Sequence, residues 1–369
     1  MRRSIPKENI NRKSSKSPKL RAIEVGELKR WNYLTDLNNQ THMIEVKGLT
    51  RNFGSLVAVN NLNFSVRQGE VFGLLGPNGA GKSTTLSMLC TILKPTSGTA
   101  TIDGVDVTQH PARVRRMIGI VFQDPSIDDR LTGRENLEMH ANLYGVPTAE
   151  ARKRIEEVLE LVELKDKAEL LMRTYSGGMR RRLEIARGLI HYPKVLFLDE
   201  PTIGLDPQTR EHIWAYISAL SKRENITVVL TTHYMEEADE LCERVAIIDY
   251  GKIIALDTPR RLKDRLEGDR ISIKTEGAAA LAEKLDELSL VKDLKVGHDE
   301  LKIVAKNGGA LMPRVVEVAT GLGIRIESMS IREPTLEDVF LHFTGREIRS
   351  EGGGDELHGL AAIKRRGIR

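Results

Sequence analysis

The stretch Gly76-Pro-Asn-Gly-Ala-Gly-Lys-Ser-Thr84 matches the pattern G-x-x-x-x-G-K-[ST] at every fixed position. It follows an apolar run, Val71–Leu75, that is typical of a strand, and it leads into a segment with helical periodicity, Thr84–Ile92. Glycines allow backbone N–H groups to turn inward around phosphates, and the helix that follows directs its positive end at them. The sequence therefore predicts a loop that binds the phosphates of a nucleotide.

Each residue of this loop has an expected role. Lys82 should reach the β- and γ-phosphates, Ser83 should ligate Mg²⁺, and Thr84 should make a further phosphate contact. The expected contacts to ATP within the loop are Gly76, Pro77, Asn78, Gly79, Ala80, Gly81, Lys82, Ser83 and Thr84.

A second apolar run, Val195–Leu198, ends in two adjacent acids, Asp199 and Glu200. In an open α/β sheet, side chains at the carboxyl end of a strand face the ligand crevice. We expect Asp199 to be the Mg²⁺ partner and Glu200 to be the general base that polarises the water attacking the γ-phosphate. The alternative interpretation of Glu200 is an acid that caps the turn before Pro201.

The pattern of strands and helices divides the chain into parts. From Ile44 to about Arg270, short apolar runs alternate with helical segments, which predicts an α/β fold, and helix is predicted across 134–163. After Arg270 the order is β-α-β-β-α-β, which is typical of a small ferredoxin-like α+β domain, and a last helix follows. The predicted parts are a basic, disordered tail at 1–42, a nucleotide-binding domain with a helical subdomain at 43–270, an accessory domain at 271–346, and a tail at 347–369.

Composition narrows the class of protein. Of the 369 residues, 40% are apolar and 29% are charged, which is the profile of a globular protein, and no run approaches 18 consecutive apolar residues. Residues 1–42 hold ten Lys and Arg against four Asp and Glu, so the rest of the chain is slightly acidic. The overall charge of +4 is therefore poor support for nucleic-acid binding, and we expect no nucleic-acid partner. Two other interpretations of 1–42 stay open: one takes Met43 as the true start, and the other takes the segment as a basic arm on an anionic membrane.

The segment Tyr175-Ser-Gly-Gly-Met179 identifies a family. It resembles the LSGGQ signature of ABC-type ATPases, with the Ser-Gly-Gly core intact and with Tyr175 and Met179 in place of Leu and Gln. Further family elements stand in the right order between residues 43 and about 260, and they are Phe53, Gln123, the Gly204-Leu-Asp206-Pro segment and His233. The string YSGGMRRRLEIARGLI and the C-terminal segment Glu333–Leu341 resemble the drug-resistance exporter subfamily of the daunorubicin type.

The resemblance implies a mechanism as well as a fold. Two P-loop cassettes pair head to tail, so that ATP and Mg²⁺ lie between the phosphate loop of one and the signature of the other. It implies catalytic roles for Glu200, His233, Gln123 and Lys82, and magnesium contacts from Ser83, Gln123 and Asp199. Phe53 would stack on adenine, and Asp206 would cross the dimer interface. The signature residues that would complete the partner's site are Ser176, Gly177, Gly178 and Met179.

The resemblance also implies partners. A homodimer is expected because one chain carries every element, and a separate membrane-spanning permease is expected to dock near Gln123 and the 124–145 region at the cytoplasmic face of the membrane. The predicted function is ATP hydrolysis that powers export of drug-like or other amphipathic compounds. The alternative is a soluble ABC ATPase that acts on ribosomes or DNA.

Two further features have competing interpretations. The basic run Arg180–Arg182 is expected to form a solvated or partner-facing surface rather than an RNA-binding patch. Val339 and Phe340 are expected to pack on their own small domain, and the alternative is a contact with a dimer mate or another partner.

Overall fold

Strands and helices alternate through the residues that the computed structural model describes, which are 42–124, 126–266 and 268–345. The strands are β1 (His42–Phe53), β2 (Leu56–Arg67), β3 (Val71–Leu75), β4 (Ser97–Ile102), β5 (Val105–Asp106), β6 (Ile118–Val121), β7 (Val195–Asp199), β8 (Thr227–Thr232), β9 (Arg244–Asp249), β10 (Lys252–Asp257), β11 (Asp269–Lys274), β12 (Val291–Val296), β13 (Glu300–Ala305) and β14 (Ser328–Arg332).

Helices separate many of these strands in the chain. They are α1 (Lys82–Leu89), α2 (Pro111–Met117), α3 (Gly133–Leu143), α4 (Thr148–Leu161), α5 (Gly177–Leu189), α6 (Pro207–Glu224), α7 (Met235–Leu241), α8 (Pro259–Asp264), α9 (Ala278–Asp286), α10 (Gly308–Gly321) and α11 (Leu336–Thr344). Within the described ranges, no helix is both long enough and apolar enough to span a bilayer.

The central sheet has six strands in the order β10-β9-β3-β8-β7-β6, and all of its neighbouring pairs except β10–β9 are parallel. Every residue of β3 and β7 is buried, as expected for strands that are covered on both faces. The register pairs Leu75 with Thr232, Asp199 with Thr231, and Val121 with Leu198. The loops that follow these four strands therefore emerge side by side at one edge, and the predicted α/β fold is confirmed.

A four-stranded antiparallel sheet, in the order β2-β1-β4-β5, lies against the phosphate loop. Asn60 N donates to Gly251 O at 2.8 Å, and Gly251 N donates to Ala80 O at 2.9 Å. These bonds join the start of β2, the turn between β9 and β10, and the phosphate loop. The hairpin that carries Phe53 is thereby anchored beside the loop.

The helical region predicted across 134–163 consists of two helices, α3 and α4, with a break between them. The chain leaves α3 through Tyr144 and Gly145, whose φ of +68° no helix continues, and Pro147 is the N-cap of α4. At the other end of α3, Thr132 and Glu135 form a reciprocal capping box. The region is therefore a pair of short helices beside α5.

The last sheet is antiparallel with the order β12-β13-β11-β14, which is the ferredoxin-like arrangement predicted from the order of elements. Its inner face and the helices α9 and α10 share a separate hydrophobic core. The last helix, α11, does not join that core. Val339 and Phe340 are buried with Ala238, Leu241 and Leu262 in the large core of the nucleotide-binding domain. The expectation that they pack on the small domain was wrong, because the helix returns to α7 and α8.

Candidate nucleotide-binding site

The phosphate loop runs from the end of β3 to the start of α1 and has no room for side chains at two of its glycines. A Cβ at Gly76 would lie 2.2 Å from Ile248 O. A Cβ at Gly81 would lie 2.5 Å from Ala58 O, and the φ of Gly81 is +103°. Neighbouring strands therefore enclose the loop closely, so that its backbone is held in one conformation before α1 begins.

Lys82 is the first residue of α1, and its side chain is only 4% exposed. Its Nζ donates to Gly76 O at 2.7 Å and to Pro77 O at 3.1 Å, so the ammonium group lies inside the curve of the loop. It also lies 3.4 Å from Glu200 Oε1. Burial lowers the pKa of Lys82 below its ordinary value, and the charges of Glu200 and Asp199 oppose that effect.

Ser83 and Asp199 meet although they lie on different elements. Ser83 Oγ donates to Asp199 Oδ1 at 3.0 Å, and the Thr231 hydroxyl donates to the same oxygen. Mg²⁺ prefers oxygen ligands and is commonly held by one or two carboxylates together with substrate phosphates. This hydroxyl–carboxylate pair fits such an ion. No cluster of three or more His, Cys, Asp or Glu side chains able to hold a metal occurs in residues 42–124, 126–266 and 268–345.

Glu200 occupies a left-handed backbone conformation, with a φ of +46°, directly after β7. Its backbone N–H is held by Thr231, through the carbonyl oxygen at 3.1 Å and through Oγ1 at 3.0 Å. Its carboxylate lies between two basic side chains, with Oε1 facing Lys82 and Oε2 lying 3.2 Å from His233 Nδ1. Burial opposes ionisation, but His233 and Lys82 outweigh it and hold the pKa of Glu200 below its ordinary value. The carboxylate is therefore ionised at neutral pH.

The signature segment forms a second group of predicted site residues. Ser176 is the N-cap of α5, and its Oγ accepts a hydrogen bond from Met179 N. A Cβ at Gly178 would lie 2.5 Å from Thr209 Cγ2, so this glycine allows α5 to approach α6. Asp206 caps α6 by accepting hydrogen bonds from Thr209 N and Oγ1. The signature and Asp206 are thus neighbours.

A cavity of about 200 Å³ lies at this second group, and its lining includes Ser176, Gly178, Met179, Arg182, Thr209 and His212. In the described ranges, no hydrogen bond or ion pair joins the segment Ser176–Met179 or Asp206 to the side chains of Lys82, Ser83 or Glu200. Tyr175, which replaces the Leu of the family signature, is buried, and its hydroxyl donates to Lys167 O at 2.7 Å. That substitution therefore anchors the segment to the preceding turn.

Two predicted site residues lie at the periphery. Gln123 is exposed and stands two residues beyond the end of β6, at the same sheet edge as Asp199. Phe53 is 38% exposed at the end of β1, and the guanidinium carbon of Arg51 lies 4.6 Å from the centre of its ring. Neither side chain touches the cluster formed by Lys82, Ser83 and Glu200 through a hydrogen bond or ion pair.

Sequence reasoning missed a residue between the two groups. The run Arg180–Arg182 is not uniformly a surface, because Arg181 is buried, whereas Arg180 and Arg182 are partly exposed. Arg181 donates to the backbone on both sides of Glu200. A signal was present, since Glu184 follows Arg181 at i+3, a spacing that pairs opposite charges on a helix.

A phosphate loop, an acid-ended strand and a signature helix on this α/β fold define an ABC-type ATPase. Residues 59–203 match the family model described as ABC transporter, and residues 258–344 match that of the ATP-binding protein DrrA1-3-like, C-terminal domain. The chain is 40% identical to the linearmycin resistance ATP-binding protein LnrL of Bacillus subtilis, over 83% of this chain and 100% of the relative. It is also 40% identical to the daunorubicin/doxorubicin resistance ATP-binding protein DrrA of Streptomyces peucetius, over 84% of this chain and 94% of the relative.

Another relative and two solved structures support the same family. The Nod factor export ATP-binding protein I of Ralstonia nicotianae is 40% identical over 84% of this chain and 96% of its own. The structure of cbiO1 from Clostridium perfringens, part of an ABC transporter complex, aligns with a TM-score of 0.58 at 28% identity, over 67% of this chain and 96% of that one. The dimeric ATP-binding cassette MJ0796 bound to ADP and Pi aligns with a TM-score of 0.53 at 31% identity, over 58% of this chain and 98% of that one.

The chain therefore belongs to the ATP-binding subunits of ABC transporters, whose cassettes hydrolyse ATP to power transport. The predictions of fold class, family and ATPase activity are confirmed. Subunits of this family bind nucleotide, form dimers and work with membrane permeases.

Proposed function

We propose that this chain powers the export of amphipathic compounds through a separate membrane-spanning permease. The names of its relatives support this proposal, because they concern resistance to linearmycin and daunorubicin/doxorubicin and export of Nod factor. The observation that carries the ATPase part is the position of the Glu200 carboxylate between Lys82 and His233. We further propose domain boundaries at 43–270 and 271–346.

The chemistry follows from the residues at the sheet edge. Lys82, which now donates to two carbonyls of its own loop, would transfer these hydrogen bonds to the β- and γ-phosphates. Ser83 and Asp199 would hold Mg²⁺, which when bound neutralises charge on the phosphate oxygens. Glu200 would accept a proton from the attacking water, because its carboxylate is ionised and His233 fixes its direction. Gln123 would contact the ion and that water from the neighbouring strand.

A second copy would complete each site. The N-terminus of α5, with Ser176, Gly177 and Gly178, carries unsatisfied backbone donors and a positive dipole end that suit a γ-phosphate. These donors have no bond to the Lys82 cluster within one chain. A head-to-tail homodimer with two equivalent sites, in which Asp206 crosses the interface and Phe53 stacks on adenine, would use all of them. ATP would then hold the dimer closed, and hydrolysis would release it.

The 124–145 region has exposed apolar side chains that suit a permease. Residues Met139, Leu143 and Tyr144 on and after α3 are large apolar or aromatic side chains, and all are exposed. A cytoplasmic helix of the permease that covered them would contact the 124–145 region and hold the subunit at the membrane. Exposed apolar side chains that stand close together are typical of surfaces that bind another protein.

Transport assays can test this proposal. The chain would be co-expressed with a candidate permease, and inverted vesicles would be supplied with ATP and labelled drugs, lipids or peptides. We expect ATP-dependent uptake of one class, and no uptake in vesicles that carry Glu200→Gln. ATPase activity that stays in the soluble fraction when the permease is present would contradict the proposal and favour the ribosome or DNA alternative.

A further inference from the structure

Arg181, in the second turn of α5, uses all five of its N–H donors inside the protein. Nε donates to Pro201 O at 2.8 Å, and Nη2 donates to Asp199 O at 3.0 Å and to Glu200 O at 3.2 Å. Nη1 donates to Phe122 O at 2.6 Å and to Glu184 Oε2 at 2.9 Å. Three consecutive carbonyls at the end of β7 thus converge on one planar guanidinium.

Glu184 extends these contacts to the other side of Gln123. Its side chain is buried, and Oε1 accepts a hydrogen bond from Ser126 N at 3.0 Å while Oε2 pairs with Arg181. Phe122 precedes Gln123, and Ser126 follows it by three residues. The Arg181–Glu184 pair therefore holds the chain on both sides of Gln123, which we call the Gln123 segment. Arg181 bonds to the carbonyl oxygen of Phe122, and Glu184 bonds to the N–H of Ser126.

We propose that Arg181, together with Glu184, is a positioning residue that fixes the Glu200 turn and the Gln123 segment to the signature helix. The turn needs such support because Glu200 has a φ of +46°, a conformation that persists only when its surroundings determine it. Lysine cannot replace the guanidinium fully, because it offers three donors from a single point rather than five in a planar fork.

The pair has a consequence for catalysis that rests on the proposed function. If the N-terminus of α5 contacts the γ-phosphate held by a second copy, any shift of α5 is transmitted through Arg181 to Glu200 of its own chain. The same shift reaches Gln123, where the permease is proposed to dock. Closure of one site would then align the base of the other, so that the two sites hydrolyse ATP in concert.

The test uses the purified full chain and separates kcat from KM. Removal of Arg181 alone would leave Glu184 as a buried unpaired charge, so the main variant is the double replacement R181M/E184M, and R181K is the conservative one. We expect kcat for ATP to fall about 100-fold in the double variant, because displacement of a catalytic group by about 1 Å costs that much. We expect KM to stay within about twofold, and R181K to recover part of kcat.

Arg154 offers a matched control. It is also buried, it donates to a backbone carbonyl, Leu189 O, and it pairs with a glutamate at i+3, Glu157. Its contacts include Leu189 O, Glu157 and the ring of Tyr192, which belong neither to the Gln123 segment nor to the Glu200 turn. We expect R154M to lower the thermal midpoint at least as much as the double variant and to keep the kcat of the wild type.

Three outcomes would overturn the inference. They are an unchanged kcat in R181M/E184M, a rise in KM that accounts for the lost activity, and an equal loss of kcat in R154M. Failure of the export proposal would appear in the vesicle assay with ATPase activity intact, so the two proposals fail separately.

Discussion

The Lys82 ammonium nitrogen lies 3.4 Å from Glu200 Oε1, so the phosphate loop and the end of β7 are joined by a buried ion pair. The other carboxylate oxygen of Glu200 faces His233. A nucleotide phosphate that draws Lys82 towards itself would free one oxygen of Glu200 while His233 retains the other. The base would thus become available when the substrate is in place.

Replacement of Glu200 by glutamine should abolish turnover and keep ATP binding. The amide retains the size of the side chain but cannot accept the proton of the attacking water. We expect ATPase activity to fall by at least about 100-fold, and ATP with Mg²⁺ to trap the variant as a dimer on size-exclusion chromatography. Glu211→Gln, which changes an exposed glutamate on α6, is the control. Normal hydrolysis by Glu200→Gln would refute the assignment of the base.

A methyl group at Gly178 should separate the signature helix from α6. The added Cβ would lie 2.5 Å from Thr209 Cγ2, so Gly178→Ala is expected to reduce ATPase activity while binding of a fluorescent ATP analogue to the monomer persists. Thr209→Ser removes that methyl and keeps the hydroxyl bonded to Asp206. The double variant should therefore recover activity, and a double variant as inactive as Gly178→Ala would show that the clash is not the cause.

Truncation of Phe340 should destabilise the nucleotide-binding domain rather than the small domain. The ring is 1% exposed in the core that also contains Ala238 and Leu262. Phe340→Ala is expected to cost about 3–5 kcal/mol in the free energy of unfolding, measured by urea titration. Val316→Ala, at an exposed position of α10, should change it by less than about 0.5 kcal/mol. Whether added ATP restores part of the lost free energy of unfolding should report whether that loss lies in the cassette.

Stability should fall in mild acid because of His140. Burial, followed by the charges of Arg187 and His191, lowers the pKa of His140 to about 3, and His191 is lowered in the same direction by its own burial. The unfolded chain, with a His pKa of about 6.5, therefore binds more protons than the folded one as the pH falls from 6.5 towards 3. Each such group costs up to about 1.4 kcal/mol per pH unit in that window.

The variant His140→Phe keeps a ring beside Tyr144 and removes the titrating group. Its free energy of unfolding should decline less than that of the wild type between pH 7.5 and pH 5.5, as measured by urea titration at each pH. His110→Gln, at an exposed position, serves as the comparison. Parallel decline in the wild type and His140→Phe would contradict the expected protonation on unfolding.

The residues that meet at the sheet edge could be predicted because their strands are parallel and wholly buried. Once β3 and β7 are recognised, their carboxyl ends must lie at one edge, and this brings the loop of Lys82 close to Asp199 and Glu200. The predicted signature segment likewise begins a helix, because Ser176 can cap it.

Other features depended on tertiary contacts that local pattern does not reveal. Arg181 stands in a basic run that suggests a solvated surface, yet four backbone carbonyls and Glu184 compensate its burial. The amphipathic pattern of α11 predicts a buried face but not which of two cores receives it. The break between α3 and α4 at Gly145 and Pro147 could have been predicted from the sequence, because a glycine followed closely by a proline commonly ends a helix.

The return of α11 to α7 and α8 makes the order of synthesis important. Leu336, Val339 and Phe340 complete a hydrophobic core whose other members precede residue 270. A ribosome-bound chain therefore cannot finish its cassette when residue 270 emerges, and the apolar surface around Leu241 and Leu262 remains unfilled until the small domain has been made. Forms of this chain that end before the last helix would leave this core incomplete, so prematurely terminated chains should be recognised by chaperones and proteases before they can compete for a permease.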